Sequence, residues 1–270
     1  MTEGTGNPSS IEIFEIRFTQ QQLMRISPQL RELFVRLGLS MNDLLFLQRL
    51  YLACGNTEAV SEAARSATAS HQTSAFLLLV GKLFEAGNIV DKWFLSTTLS
   101  RDLTPMMEAE QREAVDALKK LRGTSSVLAK VRNSFAFHYH DEPLTPHIEA
   151  IPASASLGYY VSNPEANTLR YFALEPLLRS LVNTLGSTDP ASAMEKFVGL
   201  VNETITHFST FATAIDLFAM REMFGELPTP TECPLDSRDV RARADVVFPP
   251  LVSVPKAPAA EVNSTETVGT

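Results

Sequence analysis

Three residues in the stretch Val131–Asp141, reading VRNSFAFHYHD, are of types that can process a phosphodiester: Arg132, Asn133 and His138. Arg132 is a permanent cation whose planar fork of donors can grip a phosphate. His138 exchanges a proton near neutral pH. Together they supply a base for a ribose 2′-hydroxyl and a cation for the charge that builds on phosphorus, with no metal required. Asn133 follows the arginine directly and can orient it. Lys130, Tyr139 and His140 flank the group and are candidate substrate contacts.

The spacing constrains how these residues are held. On an unbroken α-helix six residues turn through about 240° at about 100° each. Arg132 and His138 would then stand well apart on the helix surface. A single site built from both needs a helix break near the motif, long side chains wrapping around it, or a second protomer.

The chain of 270 residues is 44% hydrophobic and 20% charged with a mean hydropathy of +0.00, the balance of an ordinary globular protein with enough chain to bury a core. No uninterrupted apolar run of about 18 residues is present, so no transmembrane helix and no membrane partner are expected. The start, MTEGTGNPSS, is polar and reads as no secretory signal. Cys54 and Cys233 make neither a disulfide framework nor a metal-spacing motif, which suits a reducing cytoplasm, and Cys54 reads as a small buried hydrophobe. The formal net charge of −8 argues against a broad basic nucleic-acid surface. Residues 111–140 run the other way: Arg112, Lys119, Lys120, Arg122, Lys130 and Arg132 face only Glu113 and Asp116, a local excess of four positive charges. Such a run is either a solvated helix face or a phosphate-attracting patch beside the motif.

Proline placement leaves long windows open to helix, between Pro28 and Pro105, Pro105 and Pro143, and Pro190 and Pro228. Within them, Asn42–Ala53 follows Ser40 as a candidate N-cap, and Gln72–Phe94 is apolar on most faces, as a central buried helix would be. Met107–Leu121 reads as an exposed charged helix, and Ser125–His138 leads into the motif. Phe197, Leu200, Val201, Ile205, Phe208, Phe211, Ala212, Ile215 and Phe218 recur every three or four residues, a long helix whose aromatic stripe suits a core or a dimer interface better than a ligand box.

Pro143, Pro146, Pro152, Pro164 and Pro176 punctuate an insertion over about 143–176, in which LGYYV (157–161) and TLRYFA (168–173) flank SNPEAN, the pattern of a β-hairpin. Residues 225–270 hold seven of the sixteen prolines and lack periodicity, so they read as a disordered tail in which VVFPPLVSV (246–254) is apolar enough to dock in extended form.

The Arg-Asn start, the aromatic-Ala-aromatic-His end and the spacing between them resemble the Arg-x(4–6)-His signature of the HEPN superfamily. A second likeness lies upstream, where Gly81–Ala86 (GKLFEA) resembles a Lys-Leu-aromatic-Glu pattern of related helical families, with Glu85 as a partner for Arg132. The resemblance covers mainly residues 40–142 and, loosely, 192–224. It implies an all-α HEPN-like helical bundle over residues 11–224, carrying the hairpin insertion, with the tail at 225–270 outside it. It also implies a homodimer that pairs two motifs in one cleft, and metal-independent RNA cleavage leaving a 2′,3′-cyclic phosphate and a 5′-hydroxyl, with no cofactor. By that resemblance Arg132 holds the scissile phosphate, His138 moves the proton and Asn133 orients the pair or the RNA. The implied setting is prokaryotic defence, a toxin–antitoxin or abortive-infection system, with an antitoxin or regulatory protein as partner.

Two other readings compete. Arg132 and His138 can be inter-helix hydrogen-bonding residues in a non-catalytic helical interaction module, which would hold a partner through the Phe197–Phe218 stripe or the tail. The cluster His138, His140, Asp141, Glu142 and His147 also contains metal-ligand types, although histidines at a helix end diverge and no second ligand pair is evident. His71 and His207 stand alone and read as surface or capping residues, and no Gly-x-Ser-x-Gly elbow is present.

Overall fold

A computed structural model describes residues 13–56, 61–120, 127–136, 145–155, 157–161, 168–186 and 189–233, together with Val246 and Pro249. Of the described residues 77% are helical, and the one sheet among them has two strands, so the fold is all-α.

Three long helices make the frame. After a short capped turn, α1 (Gln20–Leu23), comes α2 (Pro28–Gly55), with proline at its first position, where the absent N–H removes no helix bond. The backbone N–H of Ser27, just ahead of it, donates to the Glu222 carboxylate at 2.7 Å. Leu30, Leu33, Leu37, Leu44 and Leu47 form one buried stripe of α2. Ser40 is therefore interior to this helix and caps nothing; the apolar spacing runs through it back to Pro28.

The second long helix, α3 (Glu62–Val90), is capped by Ser61, whose hydroxyl accepts from the Ala64 amide at 3.1 Å. Its buried residues lie on most sides, as expected of a central helix. It continues into a π-helical turn, Asp91–Leu95, after which Thr97 caps α4 (Thr98–Leu103). From Glu62 to Leu95 this helix is long and apolar enough to cross a bilayer, with half of its most apolar window buried inside the protein. That window is the hub of the core.

The charged helix α5 (Ala109–Lys120) lies across the third long helix, α9 (Pro190–Phe224). Asp189 caps α9 by accepting from the Ala191 and Ser192 amides, and Gly225 stops it at φ 82°, a left-handed conformation that glycine adopts without strain.

The helices α2 and α3 run antiparallel, fixed by Tyr51 against Phe76 and by the Lys82–Asp43 ion pair at 2.8 Å. The aromatic stripe of α9 fills the space against them. Phe197 meets Phe76 edge-on at 5.5 Å, and Phe211 meets Phe94 at 4.9 Å. Phe197, Val201, Phe208, Phe211, Ala212, Ile215 and Phe218 are all buried within the one chain. This corrects the reading that would lend the stripe to a partner: its surface is already consumed by the core.

The segment after α9 does not begin as a tail. Thr231–Cys233 (β2) pairs antiparallel with Ile13–Glu15 (β1), Ile13 opposite Cys233 and Glu15 opposite Thr231. Strand pairing can join distant chain segments where neither has a periodic signal of its own. Further on, the Val246 carbonyl accepts from the Asn56 side chain at 3.3 Å, at the C-terminal end of α2. Residues 234–245, 247–248 and 250–270 of the region read as disordered lie outside the described residues.

The insertion is also more helical than expected. It contains α7 (Thr145–Glu149), and Pro176 sits in the first turn of α8 (Leu174–Thr184), where amides need no helical partner. The expected hairpin reduces to one bridge, Tyr160 N–H to the Leu169 carbonyl at 2.8 Å and the reverse at 3.0 Å, followed by a 3₁₀ turn at Tyr171–Ala173. Its turn, 162–167, lies outside the described residues.

Candidate functional site around Glu85 and Arg132

Arg132 is delivered by a short helix, α6 (Val127–Val131), which buries Leu128, Ala129 and Val131 and packs on α3 and α8. The next five residues, Arg132–Ala136, form a π-helical turn. Such turns are rare and concentrate at functional sites. Here the turn begins on the arginine itself, so the steady phase of an α-helix does not carry through the motif. Phe137 and His138 lie outside the described residues.

The guanidinium of Arg132 is anchored from α3. Its Nη2 donates to Glu85 Oε1 at 2.8 Å and its Nε to the same oxygen at 3.1 Å. On the other side its Nη1 donates to Asn133 Oδ1 at 2.9 Å. The Phe84 ring lies 5.8 Å from the guanidinium carbon, close enough for a cation–π contribution. Asn88, one turn beyond Glu85, donates to its second oxygen at 3.4 Å. The arginine is about a quarter exposed and Glu85 less than half exposed, so the site is a surface feature with one dry side. An ion pair this accessible contributes about 1 kcal/mol or less to stability. Its larger effect is to fix where the cation points.

Glu85 and Asn133 thus take the positions expected of them around Arg132. Lys130 is exposed on the outer side of α6. His138, Tyr139 and His140 lie outside the described residues. Residue types alone did not signal Asn88 or Phe84 as parts of the arginine's surroundings. Asn88 follows from the i, i+3 spacing on α3 once Glu85 is placed, and Phe84 precedes Glu85 directly in the chain.

The basic run upstream is partly spent internally. Lys119 pairs with Asp116 at 2.9 Å, and Arg112 folds back to donate to the Met107 carbonyl. Of the candidate metal cluster, His138, His140, Asp141 and Glu142 lie outside the described residues, and among the described residues no group of three or more His, Cys, Asp or Glu converges. His147, on α7, instead faces the Asn183 amide at 3.4 Å. His71 and His207 cap no helix and are both partly buried: His71 lies within α3, where burial lowers its pKa, and His207 lies within α9, 3.6 Å from Glu203. Both cysteines are free, Cys54 buried and Cys233 partly exposed.

No family model matches the chain, and neither curated proteins nor solved structures yield a match.

Proposed function

We propose that the chain is a metal-independent endoribonuclease of the HEPN type, acting as a homodimer in prokaryotic defence or a toxin–antitoxin system. The observation that carries this reading is the Arg132 guanidinium held between Glu85 and Asn133 at the first residue of a π-helical turn. A cation whose direction is already fixed by Glu85 and Asn133 meets a phosphate with less reorganisation.

In the proposed reaction the 2′-hydroxyl of a ribose attacks the adjacent phosphorus. The new P–O bond closes a 2′,3′-cyclic phosphate, and the P–O bond to the next nucleotide breaks, releasing a 5′-hydroxyl. His138 takes the proton from the attacking hydroxyl or gives one to the leaving oxygen, and its counterpart in a second protomer supplies the other transfer. Arg132 holds the non-bridging oxygens as charge builds on them. Lys130, Tyr139 and His140 extend the contact along the RNA.

An exposed apolar face supports the proposed dimer. Leu39 and Phe46 on α2 are each 64% exposed, and Leu78 on α3 lies outward on the same side as Lys82 and Glu85. Exposed apolar residues beside the Asp43–Lys82 pair make a face that suits self-association. The same face supports the competing reading, a helical interaction module without catalysis, in place of the buried α9 stripe.

The deciding experiment is RNA cleavage by the purified protein and its Arg132→Ala variant, each with and without EDTA. EDTA-resistant cleavage with cyclic-phosphate ends, absent from the variant, is the expected result. A folded dimer that cuts no RNA under any condition would leave the interaction module as the reading.

A further inference from the structure

An acidic chain that cuts RNA needs a grip on it that does not depend on charge, because a net charge of −8 repels a polyanion over most of the surface. The segment between α7 and α8 offers one. It gathers four aromatic rings into two pairs: Tyr159 with Phe172, centroids 6.5 Å apart and tilted 72°, and Tyr160 with Tyr171 at 5.1 Å. The Tyr160–Leu169 bridge and a bond from the Phe172 amide to the Gly158 carbonyl at 3.0 Å hold the two sides together. A Cβ at Gly158 would lie 2.5 Å from the Tyr171 hydroxyl, so a larger residue there displaces the end of that ring.

Phenylalanine is usually buried and tyrosine intermediate. Tyr159 is 60% exposed and Phe172 is 42% exposed, and Arg170 beside them is exposed as well. The Tyr171–Ala173 turn packs against α3, the helix that carries Glu85. The helix that follows it, α8, packs against α6, the helix that delivers Arg132. The exposed rings and the candidate site are therefore built on the same two supports.

We propose that Tyr159 and Phe172, with Arg170 beside them, form a stacking platform for the bases of single-stranded RNA. This rests on the nuclease reading above and deepens it by naming the substrate class. Unpaired bases stack on aromatic faces whatever their sequence, and a neighbouring guanidinium meets the backbone phosphate. Duplex RNA hides its bases and has nothing to offer the rings. The platform selects loops, bulges and ends, where the 2′-hydroxyl is also freest to attack.

The test is fluorescence anisotropy with a labelled RNA of about 12 nucleotides, single-stranded or annealed to its complement. The full chain carries His138→Ala so that the RNA stays intact. Tyr159→Ala with Phe172→Ala is expected to weaken single-strand binding by about tenfold per ring, with Tyr159→Phe unchanged and duplex binding weak throughout. Tyr159→Ala alone gives the same readout at an outward-facing position should the pair of changes disturb the turn. Unchanged single-strand affinity in the alanine variants overturns the proposal, as does an equal loss for duplex. Cleavage kinetics of the parent separate the two readings. A parent that cleaves, and a Tyr159→Ala, Phe172→Ala variant with His138 intact that cleaves with the same KM, keep the nuclease and lose the platform. A parent that binds single strands through the rings without cutting keeps the platform and loses the nuclease. Neither binding nor cleavage removes both.

Discussion

Glu85 and Arg132 stand 47 positions apart in the chain, yet one carboxylate oxygen of Glu85 receives two donors of the Arg132 guanidinium, at 2.8 and 3.1 Å. The contact joins the central helix to the π-helical turn of the motif. It makes the direction of the cation a property of α3, whose own position is set by the core.

If Arg132 holds phosphate, Arg132→Ala and His138→Ala each abolish RNA cleavage and growth inhibition while the fold survives. Proton transfer by a positioned histidine contributes about 10²- to 10⁴-fold to rate, so the His138 variant should fall by that order. Arg132→Lys keeps the charge but loses the planar fork and should recover little. Cleavage by either alanine variant at the parental rate refutes the site.

Glu85 acts as a positioning residue. Because the pair is accessible, Glu85→Ala should leave the melting temperature nearly unchanged, with a stability cost of about 1 kcal/mol or less. The same change should lower kcat, since the guanidinium loses its brace. A double-mutant cycle of Glu85→Ala and Arg132→Ala checks the coupling: Glu85→Ala should add nothing to the loss of activity already caused by Arg132→Ala. Independent, additive losses would show that Glu85 does not act through Arg132.

The α9 stripe and the α2 face should respond oppositely. Phe211→Ala empties space in a fully buried position against Phe94 and should cost about 3–5 kcal/mol. Phe46→Asp, at an exposed position, should leave the denaturant midpoint in place and shift sedimentation toward monomer. A parent already monomeric at high concentration would count against the dimer and with it the composite site.

Stability should fall as pH rises from about 4 to about 6 through Asp216. This residue of α9 is solvent-accessible, yet surrounding protein crowds it and burial of the carboxyl pushes its pKa from 3.8 up to about 6. The folded state then holds a proton that the unfolded state has released, so raising the pH favours unfolding until both are ionised. Asp216→Asn removes this slope. Urea midpoints at about pH 4.5 and about pH 7.5, compared between parent and variant, read it directly. An identical difference in both proteins would assign the slope to other groups.

Much of the helical frame is legible in the residues. The i, i+3, i+4 recurrence from Phe197 to Phe218 and the apolar run within Gln72–Phe94 name two of the three long helices, because burial along one stripe is a local, periodic requirement. The boundaries are less legible. Ser40 has the chemistry of a cap but lies inside α2, whose leucine stripe extends back to Pro28 and outweighs it.

The candidate site divides the same way. Arg132, Asn133 and Glu85 are readable as residue types at suggestive spacings. The meeting of Glu85 with Arg132, the π-helical start of the motif and the exposure of Tyr159 and Phe172 follow only from how α3, α6 and α8 pack. The β1–β2 pairing belongs with them, since three residues near each end of the described chain carry no pattern that names their partner. Local sequence sets which face of a helix must be buried. Which helix covers it, and which side chains from distant segments then touch, is decided by the packing of the whole core.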